Sequence, residues 1–298
     1  VGDGIWYFLQ LLVQGLAVGS VYSLVALGFV LIYKASGVIN FAQGELLMIG
    51  AYVCLSFLTQ ANLPFLAALG LTVVVMGLLA LVLERLVLRP LIGEPVISII
   101  MATIGLAAVF KAVTAAAWGT QLKSFPAIFP DVPVHLGQVI ISQVYLWTFF
   151  VAMALMVAFA LFFKFTRLGI AMRATANSHQ VALSMGISVK SIFAISWCIS
   201  AVVSAIGGVL IGSINGVNIT FSDFGLKVFP AVILGGLDSI PGAVIGGLVV
   251  GILENLSGGY LSRVFGGGVK EVAPFVFLVL ILMVRPYGLF GTKEIERV

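Results

Sequence analysis

Apolar residues fill this chain in runs of roughly 15–25 positions, about the length a helix needs to cross a hydrocarbon core. They lie at 5–33, 46–58, 64–83, 96–117, 144–163 and 191–214, then in a half-run at 226–236 and further runs at 243–256 and 272–284. Barrel strands would be about ten residues long with strict alternation, and that alternation is absent. Backbone groups in lipid must be satisfied within their own segment, so these runs predict helices. The expected fold is an all-α integral membrane protein. It is a polytopic bundle of about eight to nine spans with broken or re-entrant helices, forming a single transmembrane domain over residues 1–298.

Two polar interruptions cut this pattern. Residues 37–53 read GVINFAQGELLMIGAYV, with Asn40, Gln43 and Glu45 set among Gly37 and Gly44. The second interruption covers 215–242 and holds NGVNITFSDFG, the half-run and the break LDSIPG. Glycine permits unusual dihedrals, and unwound backbone at membrane depth survives only against protein or a watery cavity. A pair of interrupted segments in two halves of a chain points to a substrate pathway. The candidate pathway or gate residues are therefore Asn40, Gln43, Gly44, Glu45, Asn215, Asn218, Asp223, Gly235, Gly236 and Ser239.

Plainer readings stay open beside this one. Residues 36–45 also suit a cytoplasmic turn in which Gln43 and Glu45 are solvated or cap the next helix, and 215–223 suits a solvated outer loop. Asp223, Asn215 and Asn218 would cap the half-run, whose start attracts anions such as a carboxylate. Lys111, seven residues before Trp118, is expected to snorkel to the outer interface, with a pore role as the alternative. Glu45 and Asp223 are the only acids this reading places in the membrane. Gly246, Gly247 and Gly251 predict a close helix approach, and Asn255 a packing or capping role.

Composition narrows the class. Of 298 residues, 61% are hydrophobic and 9% charged, with mean hydropathy +1.23, against about 25% charged in a soluble domain. The net charge of +4 belongs to loops that set orientation and is no nucleic-acid signal. Cys54 and Cys198 lie in apolar runs and read as small buried hydrophobes. His135 and His179 are too scattered for a metal site. No cleavable leader is expected, because the first run is long and lacks a basic start. GxxxxGK[ST], HExxH and GxSxG are all missing, so the chain carries no P-loop, zinc-protease helix or nucleophile elbow. Ser239 has no histidine in neighbouring spans to serve as its base. The expectation is transport without catalysis, metal or bound cofactor, driven by energy from elsewhere.

Orientation follows from the cations. Residues 164–190, KFTRLGIAMRATANSHQVALSMGISVK, hold Lys164, Arg167, Arg173 and Lys190 and no carboxylate, which marks the inside. Counting spans then places the expected loop 84–95, with Arg85 and Arg89, inside. It puts the N-terminus outside and the C-terminal tail, with Arg285, Lys293 and Arg297, inside. Arg263 and Lys270 fall outside. Within the inside loop, Ala182, Leu183, Met185 and Ile187 form an apolar patch on a short helix ended by Gly186. Such a patch packs on the membrane domain or docks a soluble partner.

GLAVGSVYSLVALGFVLIY (15–33), GVINFAQGELLMIGAYV (37–53), RATANSHQVALSMGI (173–187), LGGLDSIPGAVIGGLVVG (234–251) and RPYGLFG (285–291) recur in order along nearly the whole chain. Together they resemble the permease subunits of bacterial ABC importers for branched-chain amino acids, the LivH/LivM type and nearer LivH. The resemblance implies a membrane permease in a bacterial or archaeal cytoplasmic membrane. It further implies a second related permease, two cytoplasmic ABC ATPases that use ATP and Mg, and a periplasmic or extracellular substrate-binding protein. It makes 173–187 the ATPase-docking loop, with Arg173, Ala182, Met185 and Gly186 as its residues. The family's EAAxxxG pattern is met only in part: Gln180 and Val181 depart from it, while Ala182 and Gly186 match. Similar permeases carry urea or short amides, and an ion-gradient-driven carrier is the rival outside the family.

Overall fold

The computed structural model describes residues 2–126, 133–136 and 139–291. Lys293 and Arg297 of the expected inside tail lie outside the described residues, as do the side chains of His135 and His179. Twelve α-helices run in order among the described residues: α1 (Gly2–Ser36), α2 (Gln43–Thr59), α3 (Phe65–Leu83), α4 (Val96–Trp118), α5 (Gln143–Phe165), α6 (Arg167–Asn177), α7 (His179–Ser184), α8 (Val189–Asn215), α9 (Asp223–Gly235), α10 (Ile240–Tyr260), α11 (Ser262–Phe265) and α12 (Val269–Val284). Six of them, α1, α3, α4, α5, α8 and α10, are long and apolar enough to cross a membrane. The shorter apolar helices α2, α9 and α12 accompany them. The protein is a multi-pass membrane bundle.

The expected runs become helices, with four departures. The second helix starts at Gln43 rather than at residue 46, so the first interruption narrows to 37–42. The expected loop 84–95 is helical through Leu91, as a π turn (Glu84–Leu88) and a 3-10 turn (Arg89–Leu91). Buried Glu84 accepts from the Arg89 Nε at 3.2 Å, a pairing that lets the acid stay in the helix wall. The connection 119–143 holds a hairpin, β1 (Pro133–Leu136) antiparallel to β2 (Val139–Ser142). The second interruption is mostly helical, with a 3-10 turn at Ile219–Ser222 leading into α9.

The chain forms two compact units. One comprises Val1–Val30, Phe129–Met153 and Lys227–Val298. Its α1 and α10 cross at glycine: a Cβ at Gly247 would overlap Ser23, and one at Gly251 would overlap Gly19. Gly15 and Gly19 repeat the spacing of Gly247 and Gly251, the small-residue seam that lets membrane helices touch. The Ser23 hydroxyl bridges it, donating to the Val244 carbonyl at 2.6 Å. The tail RPYGLFG also works here. Leu289 N–H donates to the Leu234 carbonyl at 2.8 Å and Phe290 N–H to the Gly235 carbonyl at 3.1 Å, which satisfies two orphan carbonyls at the end of α9.

The other unit comprises Leu31–Ile128 and Ala154–Leu226. Here α2 packs along α8 and α3, with Leu46, Ile49, Met76, Ala80, Phe110, Ala201 and Ala205 in one buried cluster. Small residues again set the spacing, since a Cβ at Gly208 would overlap the Leu47 carbonyl. This seam holds the first interruption.

Candidate functional site

Within its unit the stretch 37–45 is largely buried, with Gly37 exposed at its start. Helix α1 ends at Ser36, the backbone turns through Gly37 at a φ of 69°, and α2 begins at Gln43. Asn40 and Gln43 are fully buried. The Asn40 amide donates to Gln43 Oε1 at 3.0 Å, and its Oδ1 accepts from the Ala42 N–H at 3.0 Å, tying off the loop. Gln43 Nε2 donates to Ser200 Oγ at 2.7 Å and Ser204 Oγ at 2.5 Å. Both serines lie close to the midpoint of the 27-residue α8. Phe41 N–H donates to Thr103 Oγ1 of α4 at 3.3 Å. A buried amide must be bonded on both sides, and Gln43 is.

The second interruption meets the first here. A Cβ at Gly44 would overlap the Ser222 carbonyl, and one at Gly225 would overlap the Gly44 backbone, so the starts of α2 and α9 touch main chain to main chain. Two acids flank the contact. Asp223, the first residue of α9, pairs with Lys111 Nζ of α4 at 3.5 Å. Glu45, half-buried in the first turn of α2, feels both Lys111 and Asp223 electrostatically. Lys111 therefore reaches this cluster while its side chain stays 43% exposed.

The other expected residues have local roles of their own. Asn215 is exposed at the end of α8, and Asn218 accepts from the Thr220 hydroxyl at 2.9 Å ahead of the 3-10 turn. Gly235, Gly236 and Ser239 build the tight α9–α10 turn of the first unit. A Cβ at Gly235 would overlap the Gly242 carbonyl, Gly236 has a φ of 103°, and Ser239 Oγ caps α10 by accepting from the Gly242 N–H at 3.1 Å.

In 164–190 the structure has two helices, α6 and α7. Gly186 takes a φ of 80°, with Gly186 N–H on the Leu183 carbonyl and Ile187 N–H on the Ala182 carbonyl, a helix end that favours glycine. Ala182 is buried at 1% exposure, which corrects its place in the expected patch. Val181, Leu183 and Met185 are the exposed apolar side chains. Arg173 donates to the Lys164 carbonyl at 3.3 Å and lies over the Phe163 ring, closing the corner between α5 and α6.

Residues 11–285 match the family model described as branched-chain amino acid transport system / permease component. The chain belongs to this permease family. The high-affinity branched-chain amino acid transport system permease protein BraD of Pseudomonas aeruginosa is 34% identical, over 99% of each chain. The LivH permease protein of the same description from Escherichia coli K12 is 34% identical over 98% of each. A probable branched-chain amino acid transport permease, LivH of Methanocaldococcus jannaschii, is 30% identical over 92% of this chain and 90% of its own. Among solved structures, PsaBC from Streptococcus pneumoniae in complex with Fab matches with a TM-score of 0.52 over 94% of this chain and 92% of that one. At 16% identity that likeness shows the fold alone.

The permease holds polar groups that its sequence pattern hides. Ser200 and Ser204 read as small packing residues until Gln43 is placed against them. Glu254 lies inside α10 at 3% exposure, which corrects the expectation that Glu45 and Asp223 are the only embedded acids. It accepts from the Tyr22 hydroxyl at 2.6 Å and pairs with Lys227 Nζ at 3.6 Å, while Lys227 reaches Glu271 at 3.3 Å. Tyr22, Lys227 and Glu254 come from three separate runs. The only available clue was one acid inside the run 243–256.

Proposed function

We propose that this permease is the membrane subunit of an ATP-driven ABC importer that moves branched-chain or other small hydrophobic amino acids inward. It sits in a bacterial or archaeal cytoplasmic membrane, N-terminus outside and C-terminus inside. The observation that carries the reading is the buried break at 37–42, held by Asn40 and Gln43 against the middle of α8 and touching the start of α9 at Gly225. Irregular backbone at that depth is expected where a helix bundle lines a route. Membership of the permease family and the transport role named for relatives near 34% identity support the cargo class.

The chain has no ATP-binding motif of its own, so the energy enters through partners: two cytoplasmic ATPases using ATP and Mg, beside a second related permease and an external binding protein. The cationic α6–α7 segment faces the cytoplasm in this scheme. It offers the exposed Val181, Leu183 and Met185 to an ATPase, while Arg173, Ala182 and Gly186 set its shape. Movement of the ATPases would pass along α6 and α7 into α8, and thence to Gln43. The route then alternates about the broken starts of α2 and α9.

The test is uptake of labelled leucine into proteoliposomes holding the complex purified with its co-isolating partners and supplied with binding protein. Uptake that needs internal ATP and survives collapse of proton and sodium gradients supports the importer. Uptake by this chain alone, driven by an ion gradient, overturns it.

A further inference from the structure

Helices α2 and α4 meet along a seam that is polar over several turns. At its lower level lie Glu45, Lys111 and Asp223. Lys111 and Asp223 pair at 3.5 Å, with side chains 43% and 53% exposed. Among the described residues Glu45 forms no ion pair of its own. At the upper level Tyr52 stacks on Trp118, with ring centroids 5.4 Å apart, and the Trp118 indole donates to Ser56 Oγ at 2.7 Å. Two fully buried hydroxyls, those of Tyr52 on α2 and Thr114 on α4, have no hydrogen-bond partner among the described residues.

The Thr114 hydroxyl is the informative one. A threonine inside an apolar helix ordinarily returns its hydroxyl to a carbonyl one turn back. Thr59, Thr72 and Thr175 do so at 2.7–2.9 Å. Thr114 does not. It lies one turn from Lys111 and one turn from Trp118, on the buried face of α4 that also carries Thr103 and Phe110. A buried hydroxyl left unpaired costs free energy unless something arrives to bond it.

The charges narrow what arrives. A neutral solute would gain little from the acid and amine groups gathered here. A simple anion would meet two acids and one lysine, and a simple cation would be drawn by the acids while leaving Lys111 unmatched. A molecule carrying both signs a few ångströms apart matches the group as it stands. We infer that the α2–α4 seam binds the charged end of a zwitterionic α-amino acid, with Glu45 and Asp223 taking the ammonium, Lys111 the carboxylate, and Tyr52 and Thr114 supplying neutral hydrogen bonds. The inference rests on the importer reading and adds to it the place where cargo is held within this subunit.

The test measures leucine taken up per ATP hydrolysed by the assembled transporter in proteoliposomes with binding protein. E45Q removes a charged contact and is expected to lower that ratio about tenfold; T114V and Y52F, each losing a neutral bond, lower it about fivefold. The double variant K111M/D223N separates binding from structure. If the pair only holds α4 to α9, removing both charges restores the thermal stability lost in K111M and also restores uptake. For a cargo site, stability returns and uptake does not. T114V and Y52F remove a single polar function each, so they remain informative if a charge variant fails to assemble. Uptake per ATP within about twofold of wild type in T114V, Y52F and K111M/D223N overturns the assignment. In that case wild-type ATP-driven uptake still stands and only the site is lost. If the wild type shows no ATP-driven uptake, the importer reading falls and the site falls with it.

Discussion

Gly44 of α2 and Gly225 of α9 meet without side chains between them. A Cβ on Gly225 would overlap the Gly44 backbone nitrogen and Cα, and a Cβ on Gly44 would overlap the Ser222 carbonyl. The approach joins two polar interruptions that lie far apart in sequence, and glycine is the residue that allows it. Overpacking a contact with no give costs about 1–3 kcal/mol. Gly225→Leu is therefore expected to lower the thermal midpoint of the detergent-solubilised protein. Gly105→Ala on α4, whose new Cβ meets nothing within 4 Å, is expected to leave it unmoved. Equal midpoints for the two variants would show that the two helix starts do not press on one another.

Gln43 is the hub of the break, and its loss should exceed that of either serine. Gln43→Leu leaves Asn40 Nδ2, Ser200 Oγ and Ser204 Oγ each without a bond in a buried site. About 1–3 kcal/mol of stability is expected to go. Ser204→Ala removes a single bond and should cost about 0.6 kcal/mol, typical of membrane double-mutant cycles. Adding Ser204→Ala to Gln43→Leu should cost almost nothing more, since the bond is already gone. Additive losses in chemical denaturation of the four-member cycle would mean that Gln43 does not bond Ser204 in the folded protein.

Most of this fold was legible from apolar run lengths, because in lipid a run of about 20 residues has one structural outcome. The ends of α3, α4, α5 and α8 lie within a few residues of the runs that predicted them. The loop 84–95 was misread because charge marks an interface only when it is solvated. Glu84 and Arg89 instead neutralise each other on a helix. The start of α2 was misread for a related reason. Gln43 and Glu45 are polar by type, yet Gln43 is bonded by serines from a helix more than 150 positions away. Of the candidate site, Asn40, Gln43, Gly44, Glu45 and Asp223 do converge. Lys111 was noticed but its pairing with Asp223 was not legible, because a lone polar residue in an apolar run gives no sign of its partner. Glu254 was hidden in the same way.

Glu254 depends on Lys227. The acid is 3% exposed, and Lys227 pairs it at 3.6 Å while Tyr22 donates to its other oxygen at 2.6 Å. Removing one partner of a buried pair strands the other, at a cost of about 3–5 kcal/mol. Lys227→Met should accordingly lower the yield of folded protein and its unfolding midpoint sharply. Glu271, 68% exposed, should be dispensable, because an exposed partner contributes about 0–1 kcal/mol. Lys227→Met combined with Glu254→Gln should recover much of the loss, since the stranded charge is gone. A double variant as unstable as Lys227→Met alone would mean that Lys227 acts by packing and not by its charge.

Apolar side chains stand exposed on the short helix α7 and just after it. Val181, Leu183 and Met185 are 62%, 59% and 76% exposed, while Ala182 between them is buried. A face of this kind next to cations is the natural seat for a soluble subunit. Replacing exposed side chains there should change the stability of the chain itself by no more than about 0.5 kcal/mol. Leu183→Glu with Met185→Glu is therefore expected to insert and unfold like the wild type, yet to retain little ATPase through a mild-detergent purification. Gly186→Val should lose the ATPase as well, because its φ of 80° is strained for a β-branched residue and the end of α7 would be reshaped. Quantitative mass spectrometry of the purified complexes decides it. ATPase recovered at the wild-type ratio from the Leu183→Glu/Met185→Glu variant would move the docking surface away from α7.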